Sequence, residues 1–328
     1  MGWLSGWTYR KKITITGATG AGTNYQVLLK VGESSGASGY NFHLEGKSAS
    51  FPSGKNSGGD LRFTSSDGST LLDFWVETVT GSSPNRVAYV WVEIADDLGS
   101  NRDIYCYFGN SGASNASNGA NTFLGFRDFD STSETLTYYG VGSWQIDTTN
   151  SLLRWTPTAS GSGFAVMDVS SANIRVLTRV RIPITQAAIF CVARSPDANN
   201  DYSADLNTSG NVRTIEKSVN GNWASLASAS QTISLSTFYR LLFKVYGSSL
   251  YADYFTDAYS SLGPLSASDS NLTDTHHGVG GWSLNTSSYQ FDFDYVAIAK
   301  SNSTEPAFSS AGALETLNLG AMLLMFLS

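Results

Sequence analysis

Short runs in which apolar and polar residues alternate occupy most of the chain. Ile13 and Ile15 alternate with Lys12, Thr14 and Thr16, and Tyr25, Val27, Leu29 and Val31 share one parity in the next run. A period of two over such lengths marks a half-buried β-strand, because successive side chains point to opposite faces. Leu61-Arg62-Phe63 leads into a turn at Ser65-Ser66-Asp67-Gly68, and a further strand runs through Leu72, Phe74 and Val76. Asp-Gly supplies the left-handed backbone that a tight hairpin needs. Between Arg86 and Ile94, Val87, Tyr89 and Trp91 occupy one face and Ala88, Val90, Val92 and Ile94 the other. Both faces are apolar, which suits a central strand between two packed layers. Asp103 to Phe108 closes this set of strands.

Residues 109–121 (GNSGASNASNGAN) break the pattern with small polar residues and read as a linker or long loop, which puts a domain boundary near Phe123 to Phe129. Strand patterns then resume over 151–156, 164–169, 174–182, 187–193, 202–206, 213–219, 223–229, 238–245, 250–256, 278–284 and 291–299. Val219-Asn220-Gly221-Asn222 is a strong two-residue hairpin signal. Apolar residues at helical spacing occur only weakly, at the extreme C-terminus, and no repeat of fixed period is present, which argues against a propeller or solenoid. Many short strands at this spacing predict an all-β chain of two tandem β-sandwich domains, residues 1–126 and 127–304, the second a jelly roll, followed by an apolar C-terminal tail, 305–328.

The chain's 328 residues leave room for such domains, and with 41% apolar residues it can form cores without disulfides. Charged residues are only 14%, below the usual quarter. Ser, Gly, Asn and Thr fill the surface instead, as in exposed surface proteins. A net charge of −7 argues against nucleic acid as a partner, since phosphates require a basic face. The one basic run, Arg10-Lys11-Lys12, lies within a strand pattern. Cys106 and Cys191 sit in apolar strand runs of different domains and are expected to be buried free thiols. The start, Met1-Gly2-Trp3-Leu4-Ser5-Gly6-Trp7, has no basic and apolar leader regions and no myristoylation pattern, so no secretory signal is expected. The apolar run Leu317 to Leu327 is about eleven residues, too short for the roughly 20 that span a bilayer. It is expected to be a docked strand or helix, then an oligomer contact, and only last a membrane anchor.

Residues 7 to about 129 resemble the domain of unknown function 2341 family. The resemblance is carried by Trp7-Thr8-Tyr9-Arg10-Lys11-Lys12-Ile13-Thr14-Ile15, Asn24-Tyr25-Gln26-Val27, Gly59-Asp60-Leu61-Arg62-Phe63-Thr64, Asp67-Gly68 and Leu72-Asp73-Phe74-Trp75-Val76-Glu77. Val90-Trp91-Val92-Glu93, Tyr105-Cys106-Tyr107-Phe108-Gly109-Asn110 and Phe129 complete it in the family's order. It implies a β-sandwich on cell-surface, secreted or virion proteins and no known activity. Residues from about 130 to 300 resemble the concanavalin A-like lectin/glucanase superfamily in its laminin-G-like branch. The matching pieces are Ala193-Arg194, the Asn220-Gly221 hairpin, Phe238-Tyr239-Arg240, Val245-Tyr246-Gly247 and Phe291-Asp292-Phe293-Asp294-Tyr295-Val296. Where that branch usually has Asp-Gly after the long strand, this chain has Thr256-Asp257-Ala258.

The superfamily's glucanases use clustered carboxylates of the form Glu-x-Asp-x-x-Glu. Between residues 130 and 300 the only glutamates are Glu134 and Glu216, and neither begins such a motif. Asp292 and Asp294 share a strand face and are the one alternative pair, in an ending that the resemblance ties to non-catalytic relatives. His43, His276 and His277 form no metal motif, and Gly17 to Gly22 is a turn rather than a phosphate loop. No catalytic residue is therefore expected, and the chain is expected not to be an enzyme. The most suitable ion is calcium, at Asp197, Asn199 and Asp201 (with Asn200 in the same loop), and Asp60 and Asp67 are similar candidates in the first domain. A sugar needs aromatic platforms beside amide or carboxyl groups. Trp223, Trp282, Tyr254 and Asn222 are the candidate ligand-binding residues, from a chain with 8 Trp and 16 Tyr.

These features predict a non-catalytic structural or adhesion protein of a virion or cell surface. Its lectin-like domain would bind a glycan or host receptor, and its other partners would be copies of itself or other surface proteins. The alternative is a glycan-active hydrolase or lyase.

Overall fold

A computed structural model describes residues 2–284 and 289–317. Most of the apolar run 317–327 therefore lies outside the described residues. The chain divides into two compact units, residues 1–122 with 304–328, and residues 123–303. The first contributes β1 (Tyr9–Thr16), β2 (Tyr25–Gly32), β3 (Phe42–His43), β4 (Arg62–Thr64), β5 (Leu71–Leu72), β6 (Phe74–Thr80), β7 (Val87–Ile94) and β8 (Arg102–Phe108). The second contributes β9 (Gly125–Arg127), β10 (Thr137–Gly140), β11 (Ser143–Asp147), β12 (Leu152–Thr156), β13 (Gly161–Asp168), β14 (Ile174–Arg181), β15 (Ala187–Asp197) and β16 (Asn200–Asn207). It continues with β17 (Val212–Val219), β18 (Asn222–Ser230), β19 (Phe238–Tyr246), β20 (Ser249–Thr256), β21 (Leu265–Ser268), β22 (His276–Ser283) and β23 (Phe291–Lys300). A last strand, β24 (Ala307–Thr316), belongs to the first unit, and the one described helix is a single turn, Gly119–Thr122.

The first unit is a sandwich of a five-stranded sheet, β24-β1-β8-β4-β5, and a four-stranded sheet, β3-β2-β7-β6. Ile13, Ile15, Val27, Leu29, Phe63, Val90 and Cys106 meet between them. The central position expected for Val87 to Ile94 is observed, with β7 between β2 and β6 and its residues buried on both faces. Residues 305–316 are not a separate tail. β24 pairs antiparallel with β1, and Phe308, Ala311 and Leu314 pack against the first core.

The second unit is a jelly-roll sandwich. A seven-stranded sheet, β10-β13-β22-β15-β16-β17-β18, faces an eight-stranded one built on β11-β12-β23-β14-β19-β20-β21 with β9 beside β23. Strand parity decides the packing. Ile189, Cys191, Tyr202, Ala204, Leu206 and Ile215 point inward to meet Val176, Leu241, Phe243, Tyr254, Phe293 and Val296. At the β17–β18 turn, Asn220 and Gly221 both have positive φ, as the hairpin signal requires. Cys106 and Cys191 are free and buried, and burial pushes both thiols up in pKa. Among the described residues no helix is long and apolar enough to cross a membrane.

Candidate functional site

The outer face of the seven-stranded sheet, away from the core, carries the chemistry. Its centre is apolar: Phe164, Val166, Ala188, Phe190 and Val192 are buried there, with Tyr139 and Trp282 packed against them. Strand register extends this patch into a polar region. Phe164, Gly280, Phe190, Asp205 and Thr214 stand in one row across β13, β22, β15, β16 and β17. Ser162, Trp282, Ala188 and Asn207 form the row on one side. On the other side Ser203 opposes Glu216, and beyond it Asp201, Ser218 and Trp223 are aligned.

A cleft of ≈ 260 Å³ opens over this grid, lined by Ser162, Ala188, Phe190, Asp205, Asn207, Glu216, Trp223 and Trp282. Gly280 lies in its central row, where a β-carbon would collide with the Phe190 ring, so glycine lets that ring lie flat on the sheet. Trp223 remains 42% exposed and Trp282 is half-buried, so each indole keeps surface for a ligand.

The carboxyl groups are unusual for an outer face. Asp201 is 0% and Asp205 3% exposed. Both carboxyl oxygens of Asp201 and Oδ1 of Asp205 lack a hydrogen-bond partner. Glu216 sits diagonal to both, because its direct partner Ser203 lies between them on β16. Burial first, and the neighbouring Glu216 charge second, push the Asp201 and Asp205 carboxyls well above the ordinary range, and burial also raises Glu216. Among the described residues no ion pair involves any of the three, and no lysine or arginine lines the cleft.

In the first unit a different carboxylate is fully used. Asp60 accepts hydrogen bonds from Ser48 Oγ (2.5 Å) and from the backbone N–H groups of Ala49 (2.7 Å), Gly109 (2.7 Å) and Asn110 (3.2 Å). Gly59 precedes it at φ 57°, where a β-carbon would overlap the Ser50 carbonyl. The Gly59-Asp60 and Gly109-Asn110 blocks thus meet in one knot. Residues 57–147 match the family model described as domain of unknown function DUF2341. The match starts after the blocks at Trp7 to Ile15 and Asn24 to Val27 and runs past Phe129 to the end of β11, covering well under half of the chain.

A comparison with curated protein sequences gives no match. Similar solved structures include the carbohydrate-binding module CBM66 from Bacillus subtilis, 16% identical with a TM-score of 0.41, over 50% of this chain and 95% of that one. A β-glucanase from Bacillus licheniformis is 8% identical with a TM-score of 0.39, over 54% of this chain and 98% of that one. The xylan β-1,4-xylosidase from Bacillus halodurans C-125 is 11% identical with a TM-score of 0.44, over 73% of this chain and 52% of that one.

The structure sorts the residues singled out in the sequence. Trp223 and Trp282 come together in the cleft. Asn222 stands at the turn, its amide donating to the Val219 and Asn220 carbonyls. Tyr254 is a correction: it is 0% exposed in the core, its hydroxyl donates to the Thr214 carbonyl (2.6 Å), and no ligand on the outer face reaches it. Of the calcium candidates, Asp197 closes its own turn, accepting from Asn199 N (2.7 Å) and Asn200 Nδ2 (3.0 Å), and the Asn199 carbonyl accepts from Gly221 N (2.9 Å) and Ser218 Oγ (2.8 Å). Asp201 instead joins the carboxyl group on the outer face. Asp60 is spent on its knot, and Asp67 on a turn with Ser65, Ser69 and Thr70. Among the described residues no group of three His, Cys, Asp or Glu is placed to hold a metal ion.

Asp292 and Asp294 are both held by arginines. Asp292 is held by Arg154 (3.1 Å) and Arg181 (2.5 Å), and Asp294 by Arg179 (3.0 Å), on the opposite sheet from the cleft. His277 is a satisfied interior histidine: Nδ1 accepts from Arg194 N (3.1 Å), Nε2 meets the Ser171 carbonyl (2.7 Å), and burial lowers it to about 4. Asp205 went unseen in the sequence, and Glu216 was read as isolated, because they lie on neighbouring strands rather than in one motif.

Proposed function

We propose that the second unit binds a glycan in this cleft without turning it over, and that the chain is a structural or adhesion component of a virion or cell surface that displays this site. The observation that carries the binding is the pairing of two accessible indoles with Asp205, Asn207, Glu216 and Ser162 in one cleft. A pyranose has an apolar face for an indole and a rim of hydroxyls for such groups. The cleft lies just below the roughly 300–1,000 Å³ of common ligand sites, which suits one or two sugar units rather than a long buried chain. Absence of turnover is supported by electrostatics. Glycoside hydrolysis requires one carboxyl held ionised and another protonated. Here burial raises all three carboxyls, and among the described residues no lysine or arginine lines the cleft to favour an ionised partner.

The test is a glycan array probed with the full chain and with Trp223→Ala and Trp282→Ala. Each variant is expected to lose about tenfold or more in affinity for the glycans retained by the parent chain. Unchanged binding in both would remove the cleft from the binding face. The neighbouring pair Asp205 and Glu216 supports hydrolysis as a second reading. Release of product from a polysaccharide panel, abolished by Glu216→Gln, would establish it in place of simple binding.

A further inference from the structure

The unpartnered carboxyl groups of the cleft point to the kind of sugar. Asp201, Asp205 and Glu216 share one face of the β16–β17 hairpin, and three carboxyl oxygens among the two aspartates are buried without a partner. A buried carboxylate without a countercharge is costly, so such a group either keeps its proton or awaits a cation. Among the described residues no lysine or arginine lines the cleft. The walls are Phe190, Trp223 and Trp282, whose ring faces attract a cation and do so more strongly as water is displaced. A neutral sugar would satisfy the rings and some hydrogen bonds but leave the carboxyl group uncompensated, and an acidic sugar would add like charge.

Building on the glycan-binding reading above, we propose that the cleft selects sugars carrying a protonated amino group, with the ammonium over Asp205 and Glu216 and the pyranose face on Trp223 or Trp282. A divalent cation fits less well, because among the described residues no three His, Cys, Asp or Glu side chains are placed to hold a metal ion and aromatic walls offer it no ligand.

The experiment is titration calorimetry on the full chain at one pH and ionic strength. The probes are a chitosan trisaccharide, its fully N-acetylated counterpart, a trisaccharide of uronic acids, and calcium chloride. Chitosan trisaccharide is expected to bind at least about tenfold more tightly than the acetylated sugar, with the uronate weakest and no calcium heat. Asp205→Asn and Glu216→Gln, shape-conserving changes whose folding is checked by an undiminished melting temperature, are each expected to collapse that ratio toward one. Trp223→Ala is expected to weaken both sugars together. Equal affinity for the amine and its acetylated form overturns the selectivity and leaves glycan binding standing. A preserved ratio in both carboxyl variants, or saturable calcium binding that blocks the amine, also overturns it. No binding of any sugar overturns the glycan reading itself.

Discussion

A carboxylate enclosed in a protein is tolerated when its oxygens are occupied or when it keeps its proton, and this chain contains both solutions. Asp60 is occupied: four donors from two segments, Ser48-Ala49 and Gly109-Asn110, converge on it. Asp60→Ala strands those donors and is expected to lower unfolding stability by about 3 kcal/mol, read as a shifted midpoint of urea denaturation at an unchanged slope. Asp201 is pushed the other way, toward holding a proton. The group rises from its ordinary value of 3.8 because it is buried and because the Glu216 and Asp197 charges disfavour ionisation. The folded state therefore holds a proton that the unfolded state releases, so stability is fully present below pH 3.8 and declines as pH climbs toward the raised value. Asp201→Asn removes that decline. Its melting temperature is expected to match the parent at pH 3.5 and to exceed it increasingly toward pH 8. A constant offset across the range would assign the effect to packing instead.

At the scale of elements, the cleft is a product of strand register. Gly280 on β22 leaves room for Phe190 on β15, whose ring forms part of the floor beside Asp205. Gly280→Ala is expected to tilt that ring into the cleft, costing about 1–3 kcal/mol of stability and most of the sugar affinity, measured together on one preparation. How much of this was legible in the sequence follows the same logic. Strands rich in apolar residues, such as Ile174–Arg181 and Phe291–Lys300, declared themselves, because they run through the core and are buried almost throughout. Thr137–Gly140 and Leu265–Ser268 did not: they lie at sheet edges and are only four residues long, the first mostly exposed and without an apolar parity, the second with only Leu265 and Ala267 to mark one. Tyr254 was misplaced although its parity with the buried Leu250 and Ala252 already pointed inward. The acidic group left a partial trace, Asp201-x-Ser203-x-Asp205 alternating with Tyr202, Ala204 and Leu206. Its completion by Glu216 depends on how β16 pairs with β17, which no single strand's pattern encodes.

At the scale of the molecule, the second unit is an insertion between two strands of the first. The chain leaves the first unit after β8 and the Gly119–Thr122 turn, builds the whole second unit, and returns as β24 alongside β1. β24 covers an edge of the five-stranded sheet that would otherwise expose the backbone of β1. It also brings Phe308, stacked on Phe42 at 6.3 Å, with Ala311 and Leu314 to the first core. Removing residues 305–328 is therefore expected to weaken the first unit and spare the second, although the deletion directly follows the second unit in sequence. Hydrogen exchange read by mass spectrometry separates the two, with protection falling in β1 and β8 and holding in β14, β19 and β23. Phe308→Ala is expected to give the same distribution more weakly, since it removes one ring and keeps the strand. Equal loss of protection in both units would mean that they unfold as one cooperative body, and the insertion would then be a feature of connectivity without a thermodynamic boundary.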